Sequence, residues 1–367
     1  MNRKTSLILA LLLGIAMIGT AVVWATSAPN RTTIPASSAS STSPYAQASP
    51  LVLGYYTEAS AQAFTNYHPY MNQLSTDTLN TDAEGNLIGT TPRQAIQQAR
   101  QWHMSTFALV SNYGETDWDP HAAHEVMTHP SARKKLIAGL LQTVKQNRYT
   151  GVNLDFESLV PEDRDALSAF VRDTAKVMKK NGFQTMVSIP AKQQDDLKDS
   201  WAGAYDYAAI GKAVDWLQVM TYDEHGTWSE PGSSAGRDWI QASLAFAVKE
   251  VPARKILMGL PAYGNDWNVK QTASGEYADN TMVPWKATTS LLAKYHTTGT
   301  RDQASGSMVA HYTDTNGEPH EVWYEDATSI RQKAKLVQNY HLAGVSMYAI
   351  GMENEDFWKA VQAGLQQ

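Results

Sequence analysis

Short apolar runs alternate with helical patterns along the chain from residue 51 onward, and this alternation predicts an α/β fold, a (β/α)8 TIM barrel. Eight of the runs have the length of strands, and roughly 250 residues is typical of such a barrel, to which insertions are often added. Polar residues also gather at the ends of several runs, where a barrel has its mouth. An open, doubly wound sheet is the alternative that this pattern leaves standing.

The predicted strands cover residues 52–56, 74–80, 106–112, 151–157, 184–189, 216–222, 256–260 and 344–349. The clearest helix follows the fourth strand, because Pro161 stands in its first turn and Asn181-Gly182 supplies a C-terminal cap. Residues 265–322, approximately, are rich in Thr, Ser, Gly and Asn and break the alternation. We therefore expect residues 51–367 to form one barrel with a small α+β insertion after the seventh strand.

The first 50 residues differ in composition from the rest of the chain. In residues 1–28 the basic Asn2-Arg3-Lys4 precedes a long apolar run, which predicts a signal peptide or an N-terminal membrane anchor. Residues 29–50 are rich in Ser, Thr, Ala and Pro and predict a disordered linker. We expect an extracytoplasmic protein, either secreted or anchored to the outer face of the cytoplasmic membrane.

The overall composition excludes several classes of function. The formal net charge of −6 argues against a nucleic-acid partner, and the lack of cysteine excludes disulfides and thiolate chemistry. His121, His124 and His129 lie close together, but their spacing does not match a metal motif, so we expect no metal and no cofactor. The 11 Trp and 17 Tyr suit a sugar-binding cleft or an ordinary core equally well. We also expect the protein to be a monomer.

The fourth predicted strand contains the segment TGVNLDFE, residues 150–157. Side chains alternate along a strand, so Asn153, Asp155 and Glu157 share the face opposite the apolar residues between them. In a barrel that face is the interior, where two neighbouring carboxylates raise the pKa of at least one of them. A raised pKa near the C-terminal end of a barrel strand suits a general acid. A solvent-facing strand, or structural ion pairs, is the alternative interpretation.

The sixth predicted strand shows a similar arrangement in WLQVMTYDEHG, residues 216–226. Gln218, Met220 and Tyr222 fall on one face, and Asp223 and Glu224 follow at the end of the strand. Polar residues thus gather a second time where the mouth of a barrel is expected.

Four segments in this order, GVNLDFE, VMTYDEHG, ILMGLPAYGNDW and GVSMYAIG, resemble the family 18 glycoside hydrolases, which are chitinase-like enzymes. The segments LGYYTE near the start and VWYEDATSIRQKA before the last strand extend the resemblance from Val52 to Trp358. The details resemble the N-acetylglucosaminidase branch that acts on peptidoglycan and spore cortex more than they resemble typical chitinases.

The resemblance implies an endo- or exo-acting hydrolase of β-1,4 bonds in an N-acetylglucosamine-containing polysaccharide, which is peptidoglycan, spore cortex or chitin. In such enzymes the substrate's own acetamido oxygen is the nucleophile, and an oxazolinium intermediate gives net retention. Carried over to this chain, Glu157 is the acid and then the base. Asp155 orients the acetamido N–H, and Tyr222 donates to the acetamido oxygen.

The resemblance also implies that Asp223 and Tyr348 bind the substrate. Strand alternation and positions at strand ends add five further candidates for substrate binding: Asn153, Met220, Gln218, Tyr55 and Tyr263. The chain departs from the family pattern Asp-Gly-x-Asp-x-Asp-x-Glu, because Thr150 and Asn153 replace the two earlier aspartates. Tyr348 stands where a tryptophan usually forms the floor of the sugar subsite. The third strand ends in SNYG where chitinases typically have Ser-x-Gly-Gly.

Two other functions compete with this hypothesis. One is a non-catalytic, lectin-like barrel of the same fold that only binds carbohydrate. The other is an ordinary two-carboxylate glycosidase, for which Asp223, Glu224 or Glu353 would supply the second carboxylate.

Overall fold

The computed structural model describes residues 49–366, so the predicted signal or anchor segment and nearly all of the linker lie outside the described residues. The strands are β1 Leu51–Tyr56, β2 Gln73–Thr81, β3 Leu87–Gly89, β4 Ser105–Ser111, β5 Gly151–Asp155, β6 Gln184–Pro190, β7 Trp216–Met220, β8 Ile256–Pro261, β9 Tyr263–Asn268, β10 Thr281–Pro284, β11 Thr300–Arg301, β12 Met308–Thr313, β13 Pro319–Tyr324 and β14 Gly344–Tyr348.

The α-helices are α1 Ala61–Tyr67, α2 Arg93–Gln101, α3 Pro120–Thr128, α4 Pro130–Asn147, α5 Arg164–Lys180, α6 Tyr207–Ala213, α7 Arg237–Glu250, α8 Val269–Ala273, α9 Trp285–Lys294, α10 Ala327–Ala334, α11 Leu336–Asn339 and α12 Glu355–Leu365. Short 3-10 turns cover His68–Tyr70, Pro161–Asp163 and Ala253–Lys255. Within residues 49–366, no helix has the length and apolar character that a membrane crossing requires.

Eight parallel strands close into a barrel in the order β1-β2-β4-β5-β6-β7-β8-β14. The circle is complete because β1 pairs with both β2 and β14. This closure confirms the (β/α)8 prediction and excludes the open sheet. The short strand β3 adds to the edge of β2 in antiparallel orientation.

The alternation of side chains along the strands produces two apolar cores. A large core between the strands and the helices contains Val152, Leu154 and Phe156 of the fourth barrel strand and its end. A smaller core fills the barrel interior and includes Leu109 and Met186. The polar residues of β5 therefore face the interior, as their period of two predicts.

The insertion follows β8, the seventh barrel strand, and forms a five-stranded sheet in the order β10-β9-β13-β12-β11, with α8 and α9. Strand β9 begins at Tyr263, two residues after β8 ends at Pro261, so the insertion sheet starts directly at the barrel mouth. The sheet has a small core of its own, formed by Val283, Ala310, Val322 and Tyr324. The predicted α+β insertion is confirmed.

Two predicted strands extend beyond the observed ends, and both differences lie at the residues expected to be catalytic. Strand β5 ends at Asp155 and β7 ends at Met220, each two residues earlier than predicted. Glu157 and Tyr222 therefore lie in loops, and strand alternation alone does not fix where their side chains lie.

Candidate active site

Asp155 is the last residue of β5 and lies at the mouth of the barrel. Across the neighbouring strands it pairs with Ser111 on β4 and Ser188 on β6. Paired residues of parallel strands share a face of the sheet, so this row places one carboxylate between two hydroxyl-bearing residues. The position at the C-terminal end of a barrel strand is where active sites of this fold are built.

Glu157 follows the strand in a loop whose backbone is held at several points. The side chain of Asn112 accepts a hydrogen bond from the Glu157 N–H at 2.8 Å and donates one to the Glu157 carbonyl at 2.9 Å. The Tyr205 hydroxyl donates to the Phe156 carbonyl at 2.6 Å. A loop anchored in this way fixes the direction in which the Glu157 side chain leaves the backbone.

A network of neutral polar groups lies beneath Asp155. The Asn153 Nδ2 is 3.3 Å from the Tyr55 hydroxyl, 3.2 Å from Ser75 Oγ and 3.1 Å from Ser188 Oγ. Tyr55 and Ser188 are themselves 2.9 Å apart. Asn153 is fully buried, so the structure places it below the expected contact with the substrate, where it supports the residues above it.

Gln218 and Met220 lie at different depths on β7. Gln218 is fully buried and donates to Ser346 Oγ at 2.9 Å, so it too supports the site from below and is not placed against a substrate. Met220 pairs with Pro190 of β6, one inward-facing position closer to the mouth. Of these two residues, only Met220 therefore lies at the level of the mouth.

Four tyrosines form a continuous group across the mouth. The Tyr348 ring centroid is 5.7 Å from that of Tyr55 and 6.3 Å from that of Tyr222. The Tyr222 ring is in turn 6.4 Å from the Tyr263 ring. The Tyr263 hydroxyl donates to Asp223 Oδ1 at 2.7 Å, which connects the first strand of the insertion to the loop after β7.

The position of Tyr222 depends on a glycine in the next strand. A Cβ atom at Gly259 would lie 2.6 Å from Tyr222 Cε1, well inside van der Waals contact. Asp223 then adopts a left-handed conformation with φ of 64°, which is uncommon for a residue other than glycine. This turn places the Tyr222 ring against β8 and the Asp223 carboxylate against Tyr263.

Burial raises the pKa of the Tyr222 hydroxyl well above its usual value, and the charges of nearby acidic groups raise it further. Burial also raises the pKa of Tyr348, Tyr55 and Tyr263. The effect on Tyr348 is increased by four carboxylates: Asp77, Asp155, Glu157 and Asp223. These hydroxyls are therefore protonated donors at neutral pH. Carboxylates from β2, from the end of β5 and from the loop after β7 lie close enough to Tyr348 to act on its hydroxyl.

Sequence reasoning missed two residues of this site. Asn112 belongs to the SNYG segment, where its asparagine signalled only a departure from the family pattern. Asp77 lies on β2, two residues after the inward-facing Ser75, so strand alternation in the sequence could have indicated it.

The other acidic residues considered for a two-carboxylate mechanism have structural hydrogen bonds. Glu224 Oε2 accepts from the N–H of Gly236 at 2.7 Å, and burial raises the pKa of this carboxyl group. Glu353 is 2% exposed and accepts from the N–H of Gly351 at 2.6 Å and from Trp358 Nε1 at 3.2 Å. Neither is placed as a partner for Glu157.

Two of the three histidines have acidic neighbours. His124 Nδ1 is 2.7 Å from Asp163, and His129 Nδ1 is 2.8 Å from Glu125. Across residues 49–366, no group of three or more His, Asp or Glu side chains is arranged to hold a metal ion.

Comparison with known proteins identifies the family. The family model described as "Glycosyl hydrolases family 18" matches residues 29–353. The chain belongs to this family. The Bacillus subtilis protein called "Uncharacterized glycosylase YvbX" is 42% identical to the chain over 323 residues, which are 87% of this chain and 92% of the relative.

Two further relatives have more specific names. A chitinase from Chromobacterium violaceum of known crystal structure is 36% identical, with a TM-score of 0.82, and the match covers 87% of this chain and all of that one. The "Cortical fragment-lytic enzyme" of Bacillus subtilis is 24% identical over 298 residues, 81% of this chain and 68% of that protein. The family 18 prediction is confirmed, and the chain is a glycosidase. The non-catalytic, lectin-like alternative is therefore set aside.

Proposed function

We propose that the protein is an exported hydrolase of β-1,4 bonds in an N-acetylglucosamine-containing polysaccharide and that it uses a substrate-assisted, retaining mechanism. The observation that carries this proposal is the convergence of Asp155, Glu157 and Tyr222 at one barrel mouth. The charges of Asp155 and Glu157 raise the pKa of the Tyr348 hydroxyl, and the Tyr222 ring centroid lies 6.3 Å from that of Tyr348. The three residues come from the ends of two different strands.

In the first step, Glu157 donates its proton to the glycosidic oxygen as that bond breaks. The sugar whose anomeric carbon loses this oxygen also carries the nucleophile. Its acetamido oxygen forms a bond to that anomeric carbon, which gives an oxazolinium ion and releases the first product. In the second step, Glu157 takes a proton from water as the water oxygen attacks the anomeric carbon. The oxazolinium ring opens, the acetamido group is restored and the configuration is retained. The Asn112 contacts fix the backbone of the residue that performs both transfers.

Asp155 and Tyr222 act on the acetamido group from two sides. The Asp155 carboxylate accepts from its N–H, holds the oxygen toward the anomeric carbon and stabilises the positive charge of the intermediate. The Tyr222 hydroxyl donates to the acetamido oxygen, a role that needs a protonated phenol. Burial raises the pKa of Tyr222 and so keeps that proton in place.

The remaining polar groups form the walls of the subsite. Asp223, held by Tyr263 at 2.7 Å, accepts from a sugar hydroxyl. Tyr348 provides an aromatic floor on which a sugar ring stacks, with Met220 beside it. The buried Tyr55 ring supports Tyr348 from below, at 5.7 Å between ring centroids. Peptidoglycan, spore cortex and chitin all contain the required acetamido sugar, and the names of the relatives refer to cortical fragments and chitin.

A digestion assay with analysis by mass spectrometry tests this proposal. Peptidoglycan sacculi, spore cortex and chitin oligomers are each incubated with the wild-type protein, with Glu157→Gln and with the control Glu250→Gln at an exposed helix end. We expect fragments with a reducing N-acetylglucosamine from the wild type and the control only. Equal cleavage by Glu157→Gln, or no cleavage of any polymer, would contradict the proposal.

The proposed export rests on the basic start and the apolar run of residues 1–28. Fractionation of cells that express the full chain is expected to place it outside the cytoplasm, either released or in the membrane fraction. N-terminal sequencing of the mature protein then distinguishes a cleaved signal from an anchor, and recovery in the cytoplasm would contradict export.

A further inference from the structure

Asp77 is a carboxylate of the barrel mouth that the mechanism above does not use. It pairs with Leu109 of β4, and Leu109 pairs with Asn153 of β5. The three residues therefore form one row across three strands and point to the same side of the sheet. Leu109 belongs to the core inside the barrel, so the Asp77 side chain points into the barrel as well.

Asp77 lies closer to the mouth than Ser75, the preceding inward-facing residue of β2. Ser75 is fully buried beside Asn153, whereas Asp77 is partly exposed, one step closer to the mouth. A β-bulge lies between Asp77 and Leu79 and interrupts the regular pairing with β4. Bulges are frequent next to active sites, where they change the direction of a side chain.

One contact of Asp77 is with Tyr348. Its hydroxyl lies 3.5 Å from Asp77 Oδ2, a long hydrogen bond that spans strand β1 between them. After burial, the Asp77 charge is the strongest influence that raises the pKa of Tyr348, and the same charge raises the pKa of Tyr55. Hydrogen bonds in unliganded active sites are often long and shorten when the substrate binds.

We propose that Asp77 is a positioning residue of the catalytic site, whose carboxylate holds the Tyr348 hydroxyl at the subsite floor and adds a negative charge near Asp155 and the general acid Glu157. This inference rests on the proposed function. At position 153 this chain has asparagine where the family pattern has aspartate. Asp77 on β2 lies in the same row as Asn153 and supplies a carboxylate that this row would otherwise lack.

The charge of Asp77 has two consequences for the reaction. A nearby negative charge disfavours ionisation of another carboxyl group, so the general acid keeps its proton to a higher pH. It also stabilises the positive oxazolinium intermediate. The titratable groups that face this place come from four parts of the barrel: Tyr55 on β1, Asp155 and Glu157 at the end of β5, Tyr222 and Asp223 after β7, and Tyr348 on β14.

The pH dependence of kcat/KM on an N-acetylglucosamine oligomer tests the charge. In Asp77→Asn, which keeps the shape and one acceptor oxygen, we expect the basic limb of the profile to move to lower pH by roughly half a unit. The control Asp238→Asn, at an exposed position of α7, is expected to leave the profile unchanged. Adding Asn153→Asp to Asp77→Asn returns a carboxylate to the same row, and we expect it to move the limb back.

A double-mutant cycle tests the contact with Tyr348. We expect Asp77→Ala and Tyr348→Phe each to lower kcat/KM severalfold. The double variant should be no less active than the less active single variant, because both substitutions remove the same interaction. A wild-type pH profile in Asp77→Asn, or fully additive losses in the cycle, would overturn the inference. If Glu157→Gln is inactive while Asp77→Asn behaves as wild type, only the role of Asp77 fails. If Glu157→Gln remains active, the proposed mechanism itself fails.

Discussion

Carboxylates in two regions of this molecule lie in opposite electrostatic surroundings: one is buried against a cation, and the others cluster with like charges at the barrel mouth. Where the insertion joins the barrel, Glu325 Oε2 lies 2.5 Å from Lys333 Nζ, and both side chains are almost fully buried. Ser307 completes this junction by accepting from Lys333 at 3.1 Å and donating to Glu325 at 2.7 Å. At the barrel mouth, by contrast, several carboxylates gather around a group of tyrosines.

The difference separates an acid that holds structure from acids that are arranged for chemistry. A carboxylate paired with a buried lysine is stabilised as the anion and is a poor proton donor. Carboxylates placed close together oppose one another's ionisation, and one of them is then able to carry a proton near neutral pH. The charges that act on the Tyr348 hydroxyl at the mouth include Asp155 and Glu157, which fits the second arrangement.

The two regions are also connected. Ser307 of the junction lies 2.7 Å from Ser233, and the Arg237 N–H donates to the Ser305 carbonyl at 2.8 Å. Ser233 belongs to the loop after β7, which also contains Tyr222 and Asp223. The ion pair therefore supports, at a distance, the loop that forms one wall of the site.

Breaking the ion pair is expected to have the largest effect on stability. In Lys333→Met, Glu325 is left buried without its cation, and we expect the free energy of unfolding to fall by about 3–5 kcal/mol. The control Lys270→Met removes an exposed pair with Glu318 and is expected to cost less than about 1 kcal/mol. Urea unfolding of both variants measures the difference, and equal losses would remove the contrast between the regions.

Neutralising Asp155 at the mouth is expected to have the opposite effect, a large loss of activity with little loss of stability. For Asp155→Asn we expect kcat/KM to fall by about 10²–10³-fold, because the acetamido group loses its charged partner. The free energy of unfolding should stay within about 1 kcal/mol of wild type or rise, since a like charge is removed from a cluster. Activity assays combined with urea unfolding check both parts. A large loss of stability with normal activity would show that Asp155 is a structural acid.

The backbone clamp on Glu157 should show an intermediate effect on both quantities. Asn112→Ala leaves the Glu157 N–H and carbonyl without their partner, and we expect a loss of about 1–3 kcal/mol in stability. We also expect kcat/KM to fall by about 10–100-fold through misplacement of the acid. Asn66→Ala, at an exposed helical position, serves as the matched control. Unchanged activity in Asn112→Ala would show that the loop holds Glu157 without this clamp.

The smallest effect is expected from the wall of the subsite. Tyr263→Phe removes the hydroxyl that donates to Asp223 but keeps the ring, and we expect about a tenfold lower kcat/KM. The loss should appear mainly in kcat, because Asp223 then holds the sugar less accurately in the transition state. A change of KM alone would indicate that Asp223 contributes only to uniform binding.

Strand periodicity predicted much of the fold because a buried strand needs one apolar face toward the helices. All eight barrel strands and the inward direction of Asp155 follow from that requirement. The same rule does not extend past the end of a strand. The placement of Glu157 therefore depends on Asn112, 45 residues earlier in the chain, and that of Tyr222 on Gly259. Such contacts between distant segments leave no periodic signal in one sequence.

The missed residues have equally specific reasons. Asp77 lies in a strand that carries a bulge, and its partner Tyr348 is 271 residues away. Lys333 and Glu325 are close in sequence, but their pairing depends on how the insertion rejoins the barrel before α10. Asn153 and Gln218 were expected at the substrate because they alternate correctly, yet alternation gives the face of a strand and not the depth inside a barrel.

The central claim is that the substrate supplies its own nucleophile at a site formed by Asp155, Glu157 and Tyr222. The most direct test compares kcat at saturation for an N-acetylglucosamine oligomer and a matched oligomer with a free amine on the sugar preceding the cleaved bond. We predict at least a roughly 10³-fold lower kcat for the amine, because the positioned intramolecular nucleophile is missing. Similar kcat values for the two oligomers would contradict the claim and would require a nucleophile from the protein.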